Sequence, residues 1–270
     1  MSEKGTFMFL RWKHECPLFA ALAVLLGAVV ACSSGSRVAG KPAFRVLCGS
    51  SMATPMQEIG AVFAQERNVD VQYDFGGSET LLPKVIAGVQ ADIYVCHDPF
   101  EEKVRAAGQC AGSALVGYLE PVLAVRSGNP KQIRTLEDLA RPEVRLGIGD
   151  PQYSTCGEMF VAMLEQKGLK AKVMPQVAVQ MRSHSELANG LIAGPLDAVV
   201  IWNFAAALYK DKLQVVDLKV PYKPVRVTAV GLARSANPAV RDAFLEFCRT
   251  EKVQTAFKGH GYVKSTMKDE

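Results

Sequence analysis

Residues 44–51 (Phe-Arg-Val-Leu-Cys-Gly-Ser-Ser) place two serines directly after an apolar run, and apolar residues then recur at helical spacing from Met56 to Phe63. This order predicts a strand, a short turn and an amphipathic helix. The order repeats at once, because residues 69–75 alternate in polarity and lead through residues 76–78 (Gly-Gly-Ser) into a second helical pattern. Alternating strands and helices predict an α/β fold with mostly parallel strands.

Each of the two turns carries a serine at the start of a predicted helix. The first turn of a helix leaves backbone N–H groups without an intrahelical acceptor, and the helix dipole adds partial positive charge there. Anions bind at such N-termini without a cationic side chain. We therefore predict that Ser51 and Ser78 direct their hydroxyl groups at one anion. The plainer alternative is that Ser50, Ser51 and Ser78 only cap their helices.

The second half of the chain shows the same alternation after the turn-rich residues 127–130 (Ser-Gly-Asn-Pro). Its strands are short and apolar, and we predict them at residues 144–148, near Val173 and at residues 198–201. Residues 225–232 are extended, and one final helix before Gly259 is predicted to return to the first set of strands.

These two sets of elements predict two α/β lobes that face each other across a cleft, since ligands of open α/β sheets bind at the carboxyl ends of strands. Lobe I is predicted to comprise residues 43–122 and 229–266, and lobe II residues 123–228. The crossings near residues 121–127 and 225–230 are the predicted hinges.

The composition excludes several classes of protein. The 270 residues carry a formal charge of +4 with acidic residues interleaved, so no basic stripe indicates a nucleic-acid partner. The seven cysteines lack the spacing of a metal finger, and we expect those of the mature chain to be free thiols. We expect a monomer without a cofactor.

The first 31 residues have the pattern of an export signal. Basic residues precede an apolar run at residues 18–30, which is short for a permanent membrane span. The run meets Cys32 and a small polar spacer, and this resembles a bacterial lipoprotein signal, with lipid attached to Cys32 and a flexible tether at residues 32–42. The protein would then be lipid-anchored in the cell envelope and face the periplasm or the exterior. A plain signal peptide and an uncleaved anchor are the alternatives.

Four short stretches carry a resemblance to a known family. They are residues 48–59 (CGSSMATPMQEI), 75–88 (FGGSETLLPKVIAG) with 91–95 (ADIYV), 149–157 (GDPQYSTCG) and 197–202 (DAVVIW). In this order they are similar to the molybdate- and tungstate-binding substrate-binding proteins of ABC importers. The resemblance covers nearly all of the mature chain. It implies a type II periplasmic-binding-protein fold, a tetrahedral oxyanion as ligand, a membrane permease as partner and no catalysis.

The resemblance also implies which residues bind the oxyanion. Ser51 and Ser78 match serines that donate hydroxyl and backbone N–H bonds, and Cys156 and Leu191 match positions that donate through the backbone N–H. Trp202 stands where the family has a tyrosine whose hydroxyl contacts the anion. An indole N–H can only donate, which suits a fully deprotonated dianion.

Glu186 is a possible additional ligand, because it matches a carboxylate that binds the metal directly in an archaeal-type subgroup of the same family. That subgroup uses a second acid, and Ser154 occupies the matching position here. A lone carboxylate repels a dianion. We therefore expect binding by neutral donors, with Glu186 turned to solvent or paired across the cleft.

Neutral donors favour a ligand that only accepts hydrogen bonds. The serine turns and residues 153–157 contain few charges, Glu79 and Glu158 being the exceptions. Molybdate, tungstate and sulfate are pure acceptors, whereas phosphate carries a proton near neutral pH and needs a carboxylate to receive it. Another oxyanion such as sulfate is therefore the first alternative ligand.

Two further alternatives use other side chains. A transition-metal cation could bind residues 96–98 (Cys-His-Asp) together with His184 and Glu186. An enzyme on the same fold would have to use Cys156 and His184 as nucleophile and base, although no nucleophile motif surrounds them.

Overall fold

The computed structural model describes residues 41–263, so the predicted lipoprotein signal, Cys32 and most of the predicted tether lie outside the described residues. The strands, in chain order, are β1 (Ala43–Gly49), β2 (Asp70–Gly76), β3 (Ile93–His97), β4 (Cys110–Leu119), β5 (Pro121–Arg126), β6 (Leu146–Gly149), β7 (Val177–Met181), β8 (Ala198–Trp202), β9 (Leu213–Val216) and β10 (Val225–Leu232). The helices are α1 (Ala53–Arg67), α2 (Ser78–Ile86), α3 (Phe100–Ala106), α4 (Thr155–Gln166), α5 (Lys170–Val173), α6 (His184–Ala193), α7 (Asn203–Leu208), α8 (Pro238–Cys248) and α9 (Glu251–Gly259). None of these helices is long and apolar enough to cross a membrane.

The strands form two five-stranded mixed sheets with the same internal plan. The first has the order β2-β1-β3-β10-β4 and the second the order β7-β6-β8-β5-β9. In each sheet four strands point in the same direction, and the fourth strand of the order, β10 or β5, runs antiparallel to them. The predicted α/β class is confirmed, and most strands of each sheet run in one direction, as predicted. The exceptions are β5 and β10, the strands that follow the two passages of the chain between the sheets.

In each sheet, a buried aspartate accepts a hydrogen bond from a backbone N–H at the start of a neighbouring strand. Asp92 directly precedes β3, and its carboxylate accepts a hydrogen bond from the backbone N–H of Arg45 at 2.7 Å. Asp197 directly precedes β8 and accepts one from the backbone N–H of Arg145 at 3.0 Å. Both aspartates are buried. Each therefore satisfies an N–H at the edge of a buried strand and fixes where the neighbouring strand begins.

Aromatic side chains fill the space between the first sheet and two helices. Phe44 of β1, Phe63 of α1 and Phe244 of α8 are fully buried, and the rings of Phe63 and Phe244 meet edge to face at 4.9 Å. Edge-to-face pairs of this kind add to the stabilisation from buried apolar area. The pattern of apolar residues that predicted α1 thus marks the face that α1 buries.

Some predicted elements differ from those observed. The strand predicted near Val173 begins at Val177 as β7, because the N–H of Val173 donates to the carbonyl of Leu169 at 2.9 Å and closes the short helix α5. The final helix is two helices, because Thr250 has extended torsions and its hydroxyl donates to the carbonyl of Phe247. The helix α7 and the strand β9 were missed, since segments of four to six residues show too little periodicity.

The chain passes from the first sheet to the second at Glu120 and returns through residues 217–224. The predicted hinges at residues 121–127 and 225–230 are therefore displaced, because most of those residues are hydrogen-bonded within β5 and β10. Asn203 fixes the outward crossing, since its side-chain oxygen accepts from the N–H of Glu120 at 3.1 Å. The exact division into lobes stays a prediction.

Candidate ligand-binding site

A cleft of about 670 Å³ opens where the parallel strands of both sheets end. Its walls include residues 49–51, 77–80, 151–155 and 182–185, which follow β1, β2, β6 and β7, together with the last residues of β3 and β8. The carboxyl ends of six parallel strands therefore meet at one cavity. Ligands of α/β proteins bind at this position.

The two serine turns lie against each other in this cleft. A Cβ atom added to Gly49 would lie 2.4 Å from the Met52 side chain and 3.0 Å from the hydroxyl oxygen of Ser78, so glycine permits the close approach of the two turns. Ser51 belongs to a single 3-10 turn that leads into α1. The helix caps are Gly49, Met52 and Gly77, so the serines do not occupy the cap positions proposed in the plainer alternative.

Ser78 is the first residue of α2 and is almost completely buried. Its backbone carbonyl accepts a hydrogen bond from the hydroxyl of Tyr94 at 2.7 Å, which fixes the residue. Within residues 41–263 its own hydroxyl oxygen has no hydrogen-bond partner. A buried hydroxyl without a partner is costly. Ser78 lines the cleft, and a ligand bound there could accept this hydrogen.

The loop after β6 leads into α4 with a side-chain cap. The Ser154 hydroxyl accepts from the N–H of Gly157 at 3.4 Å, which leaves the N–H groups of Thr155 and Cys156 at the open end of the helix. Thr155 lines the cleft, whereas the side chain of Cys156 is fully buried. Burial raises the pKa of the Cys156 thiol. Only the backbone of Cys156 can therefore serve a ligand, and its thiol is a poor nucleophile.

The helix α6 also begins at the cleft, and its first residue is His184. The Ser183 hydroxyl caps the helix by accepting from the N–H of Glu186 at 3.2 Å. Leu191 lies seven residues further along α6, inside the apolar core and away from the cleft walls. Its N–H is in the helix interior, where the hydrogen-bonded ladder uses it. The N–H groups available at this wall are those of His184 and Ser185.

Glu186 is exposed and is not part of the cleft wall. This placement agrees with the expectation that it turns to solvent. The sequence Ser183-His184-Ser185-Glu186 has the form of a capping box, in which a serine is followed three residues later by a glutamate. That signal marks the start of α6 at His184, and it places the backbone N–H of His184, and not that of Leu191, at the cleft.

Trp202 ends β8 and lines the cleft, and two histidines flank its ring. The ring centroid of His184 lies 5.8 Å from that of Trp202, and that of His97 lies 6.3 Å from it on the side of the first sheet. His97 donates from Nδ1 to the carbonyl of Asp98 at 2.7 Å, because a carbonyl can only accept. Burial lowers the pKa of both histidines, that of His184 to about 4.

Four charged side chains line the cleft. Glu79 and Glu158 were recognised in the sequence, but Lys103 and Arg182 were missed, because they come from α3 and from the residue after β7. The guanidinium of Arg182 lies 3.7 Å from the centre of the Tyr153 ring, which holds it at the wall by a cation–π contact. The expected lining of neutral donors therefore needs correction, although the two cations and two carboxylates balance formally.

The structure gives little support to the cation alternative. Cys96 is fully buried with a pKa raised by burial, and Asp98 accepts from the N–H of Arg226 at 3.0 Å. In the part of the chain that the structure describes, no three His, Cys, Asp or Glu side chains are grouped to hold a metal ion.

Comparison with known proteins gives a consistent result. Residues 44–263 match the family described as bacterial extracellular solute-binding protein. The molybdate-binding protein ModA of Mycobacterium tuberculosis is 25% identical over 253 residues, which is 90% of this chain and 95% of that protein.

Two solved structures are similar in fold. The periplasmic molybdate-binding protein of Azotobacter vinelandii superposes with a TM-score of 0.67 at 18% identity, over 83% of this chain and 100% of that one. The sulfate-binding protein SubI of Mycobacterium tuberculosis gives the same TM-score of 0.67 at 20% identity, over 82% of this chain and 86% of that one.

Proposed function

Because the chain belongs to the family of bacterial extracellular solute-binding proteins, we propose that it captures molybdate or tungstate in this cleft and delivers the anion to the membrane permease of an ABC importer. Its two mixed sheets have the type II periplasmic-binding-protein fold, as in the two solved structures. Its named relative is a binding protein and not an enzyme. The buried Cys156 thiol supports a binding role here as well.

The observation that carries this proposal is the buried hydroxyl of Ser78. The hydroxyl lies at the N-terminal residue of α2, in the cleft, and finds no acceptor anywhere in residues 41–263. An oxyanion oxygen would accept this hydrogen at the positive end of the helix dipole. The other oxygens of the anion would accept hydrogen bonds from the free N–H groups in the first turn of α2.

Helix N-termini from both sheets supply the remaining donors. Ser51 contributes from the turn before α1, the backbone N–H of Cys156 from α4, and the N–H groups of His184 and Ser185 from α6. Trp202 offers an indole N–H at the same wall. All of these groups donate, so a ligand that only accepts satisfies them best.

The charged side chains of the cleft have no net charge that would favour an anion over a cation. Lys103 and Arg182 attract an anion, while Glu79 and Glu158 repel it, and their formal charges sum to zero. The oriented N–H groups of the helices therefore supply the decisive attraction. This balance also disfavours a cation, which those same N–H groups would repel.

Sulfate is the second candidate ligand, because the sulfate-binding SubI structure superposes as well as the molybdate-binding one, each with a TM-score of 0.67. The fold alone therefore does not separate the two anions. The overall similarity to ModA, which spans 90% of this chain, favours molybdate.

The remaining parts of the proposal concern the membrane and the motion. We propose that a lipid on Cys32 tethers the protein on the outer side of the membrane, where the family acts. Ligand capture closes the cleft by rotation about Glu120 and residues 217–224, the two places where the chain passes between the sheets.

A titration of the purified mature chain with molybdate, tungstate, sulfate, phosphate and Zn²⁺ tests the function. Ligand at about 100 times its dissociation constant stabilises the folded state by about 2.7 kcal/mol, which a thermal-unfolding assay detects. Stabilisation by molybdate and tungstate at micromolar concentration is the expected result. Stabilisation by sulfate alone would select the second candidate, and no response to any oxyanion would refute the proposal.

A further inference from the structure

His184, which lines the cleft, has a second buried polar atom without a partner in the described chain, its Nδ1. The residue is 7% exposed and lines the cleft. Throughout residues 41–263, the only buried side-chain nitrogen or oxygen atoms without a hydrogen-bond partner are this atom and the Ser78 hydroxyl oxygen. Both belong to the first residue of a helix that begins at the cleft, one from each sheet.

Packing fixes the position of the His184 ring. The ring lies against Trp202, with 5.8 Å between centroids and a 45° tilt, and the side chain is part of the wall formed by α6 and β8. A side chain held in this way loses little further entropy when it binds a ligand. The unpartnered nitrogen is therefore a preorganised group and not a mobile surface one.

We propose that His184 donates a hydrogen bond from Nδ1 to the bound oxyanion and that this side-chain donor favours a fully deprotonated tetrahedral dianion over hydrogen phosphate. The inference rests on the proposed function and extends it, since it adds an imidazole to the hydroxyl and backbone donors described above. It concerns the side chain of His184, whereas the helix start alone would use only its backbone.

The surroundings of the ring favour a donor role. The imidazole is neutral near pH 7, because burial and the neighbouring His97 lower its pKa to about 4. A neutral imidazole has one N–H, and the acceptor that it meets selects which nitrogen carries it. The charged side chains at the cleft are Lys103, Arg182, Glu79 and Glu158. At the N-terminus of α6, the free backbone N–H groups attract an anion to the same position.

A deprotonated dianion satisfies this donor, whereas hydrogen phosphate brings a hydroxyl that must itself find an acceptor. When Nδ1 carries the hydrogen, His184 cannot be that acceptor, and the phosphate hydroxyl must reach Glu79 or Glu158 instead. Phosphate is therefore the informative competitor. Tungstate is the preferred probe, because it is close to molybdate in size and charge.

The experiment compares tungstate affinity by isothermal titration calorimetry in four proteins. His184→Phe keeps a ring against Trp202 but has no nitrogen, and His184→Asn places an amide N–H near the position of Nδ1. His260→Phe is the matched control, because this histidine pairs with Glu58 on the surface, away from the cleft. We expect His184→Phe to weaken tungstate binding about 10- to 100-fold, the loss of one charge-accepting hydrogen bond in a desolvated site. The Asn variant should regain most of this loss, and the control should bind as the wild type does.

Nitrogen NMR of the wild type gives a readout that a purely structural role would not change. Tungstate should shift the His184 Nδ1 signal towards that of a protonated nitrogen, while the His260 signals stay in place. Unchanged tungstate affinity in His184→Phe, or phosphate binding more tightly than tungstate, would overturn the inference. Zn²⁺ binding that the Phe variant abolishes would also overturn it. Failure of the wild type to bind any oxyanion is a different result, which refutes the proposed function itself.

Discussion

The phenolic hydroxyl of Tyr262 donates a hydrogen bond to the main-chain oxygen of Ser51, although 211 residues separate them in sequence. The Tyr262 ring also stacks on Phe204, with 5.8 Å between centroids and a 12° angle. Phe204 belongs to α7, next to the second sheet, and lines the cleft. One buried tyrosine thus connects the first serine turn with a helix on the other side of the cleft.

Replacement of Tyr262 by phenylalanine distinguishes the effect of its hydrogen bond from the effect of its ring stacking. Tyr262→Phe keeps the stack on Phe204 and removes the bond to Ser51, so the turn loses one restraint while the core stays filled. We expect the free energy of unfolding to fall by about 1 kcal/mol, because the carbonyl of the partly buried Ser51 loses its donor. Tungstate affinity should fall severalfold, since the Ser51 turn must then be ordered by the ligand. Chemical denaturation and calorimetry measure the two effects.

Tyr209→Phe is the control for this change, since Tyr209 lies at the end of α7 and is not part of the cleft wall. Unaltered tungstate binding by Tyr262→Phe would mean that the bond to Ser51 does not order the turn for ligand.

Removal of the Ser78 hydroxyl should change affinity and stability in opposite directions. Ser78→Ala deletes a donor to the anion, so tungstate binding should weaken by about 1–3 kcal/mol. The ligand-free protein should be as stable as the wild type or slightly more stable, because the variant removes a buried hydroxyl that lacks a partner within the described chain. Denaturation with and without tungstate measures both quantities.

Ser127→Ala serves as the matched serine control, because Ser127 lies in an exposed loop after β5. A large loss of stability in ligand-free Ser78→Ala would show that the hydroxyl has a structural partner, contrary to its assignment as a ligand donor.

The serine turns were predictable because their signal is local. An apolar strand, a glycine and a serine, and a helical pattern follow one another within about twenty residues, which is the range over which periodicity can be judged. The cleft follows from the general rule for α/β sheets. The start of α6 was equally local, since Ser183 and Glu186 have the spacing of a capping box, but transfer of a family position selected Leu191, which lies two turns further along the helix.

Other features of the site depend on packing that the sequence does not display. The rings of His97, Trp202 and His184 come from β3, β8 and α6, and only the arrangement of the sheets brings them together. Arg182 lies at the cleft wall, where its guanidinium makes a cation–π contact with the ring of Tyr153. No pattern in the sequence indicates such pairs, because their members are far apart along the chain.

The ion pair between Arg145 and Asp197 makes stability depend on pH. Burial raises the pKa of Asp197, but hydrogen bonds from the side chain and backbone of Arg145 outweigh burial and hold the pKa below its usual value. A carboxyl whose pKa is lower in the folded state stabilises the protein above its unfolded pKa of about 3.9, and the contribution is lost as the pH falls through the folded value. Asp197→Asn should therefore be less stable than the wild type at pH 7, and the difference should shrink as the pH falls below the unfolded pKa of about 3.9.

Urea denaturation of both proteins at several pH values measures this difference. Because the Arg145 side chain is half exposed to solvent, we expect the ion pair itself to contribute only about 1 kcal/mol at pH 7. Asp211→Asn, at an exposed position, should show no such pH dependence. A stability difference that stays constant down to pH 2 would show that the loss comes from packing and not from the charge.

Gly157 allows α4 to begin directly against β6, and this contact supplies the last prediction. A Cβ atom at Gly157 would lie 2.0 Å from the carbonyl oxygen of Gly149, which is backbone and cannot rotate away. Gly157→Ala should therefore displace the first turn of α4, with a loss of about 2 kcal/mol in the free energy of unfolding. Displacement of the N–H groups of Thr155 and Cys156 should also weaken tungstate binding by about tenfold or more.

Gly259→Ala is the control, because a Cβ atom there meets nothing within 4 Å and alanine favours the helix α9. Denaturation and calorimetry should show a loss of both stability and affinity for Gly157→Ala alone. An alanine that is tolerated at Gly157 with full affinity would contradict the proposed role of the α4 N-terminus in the site.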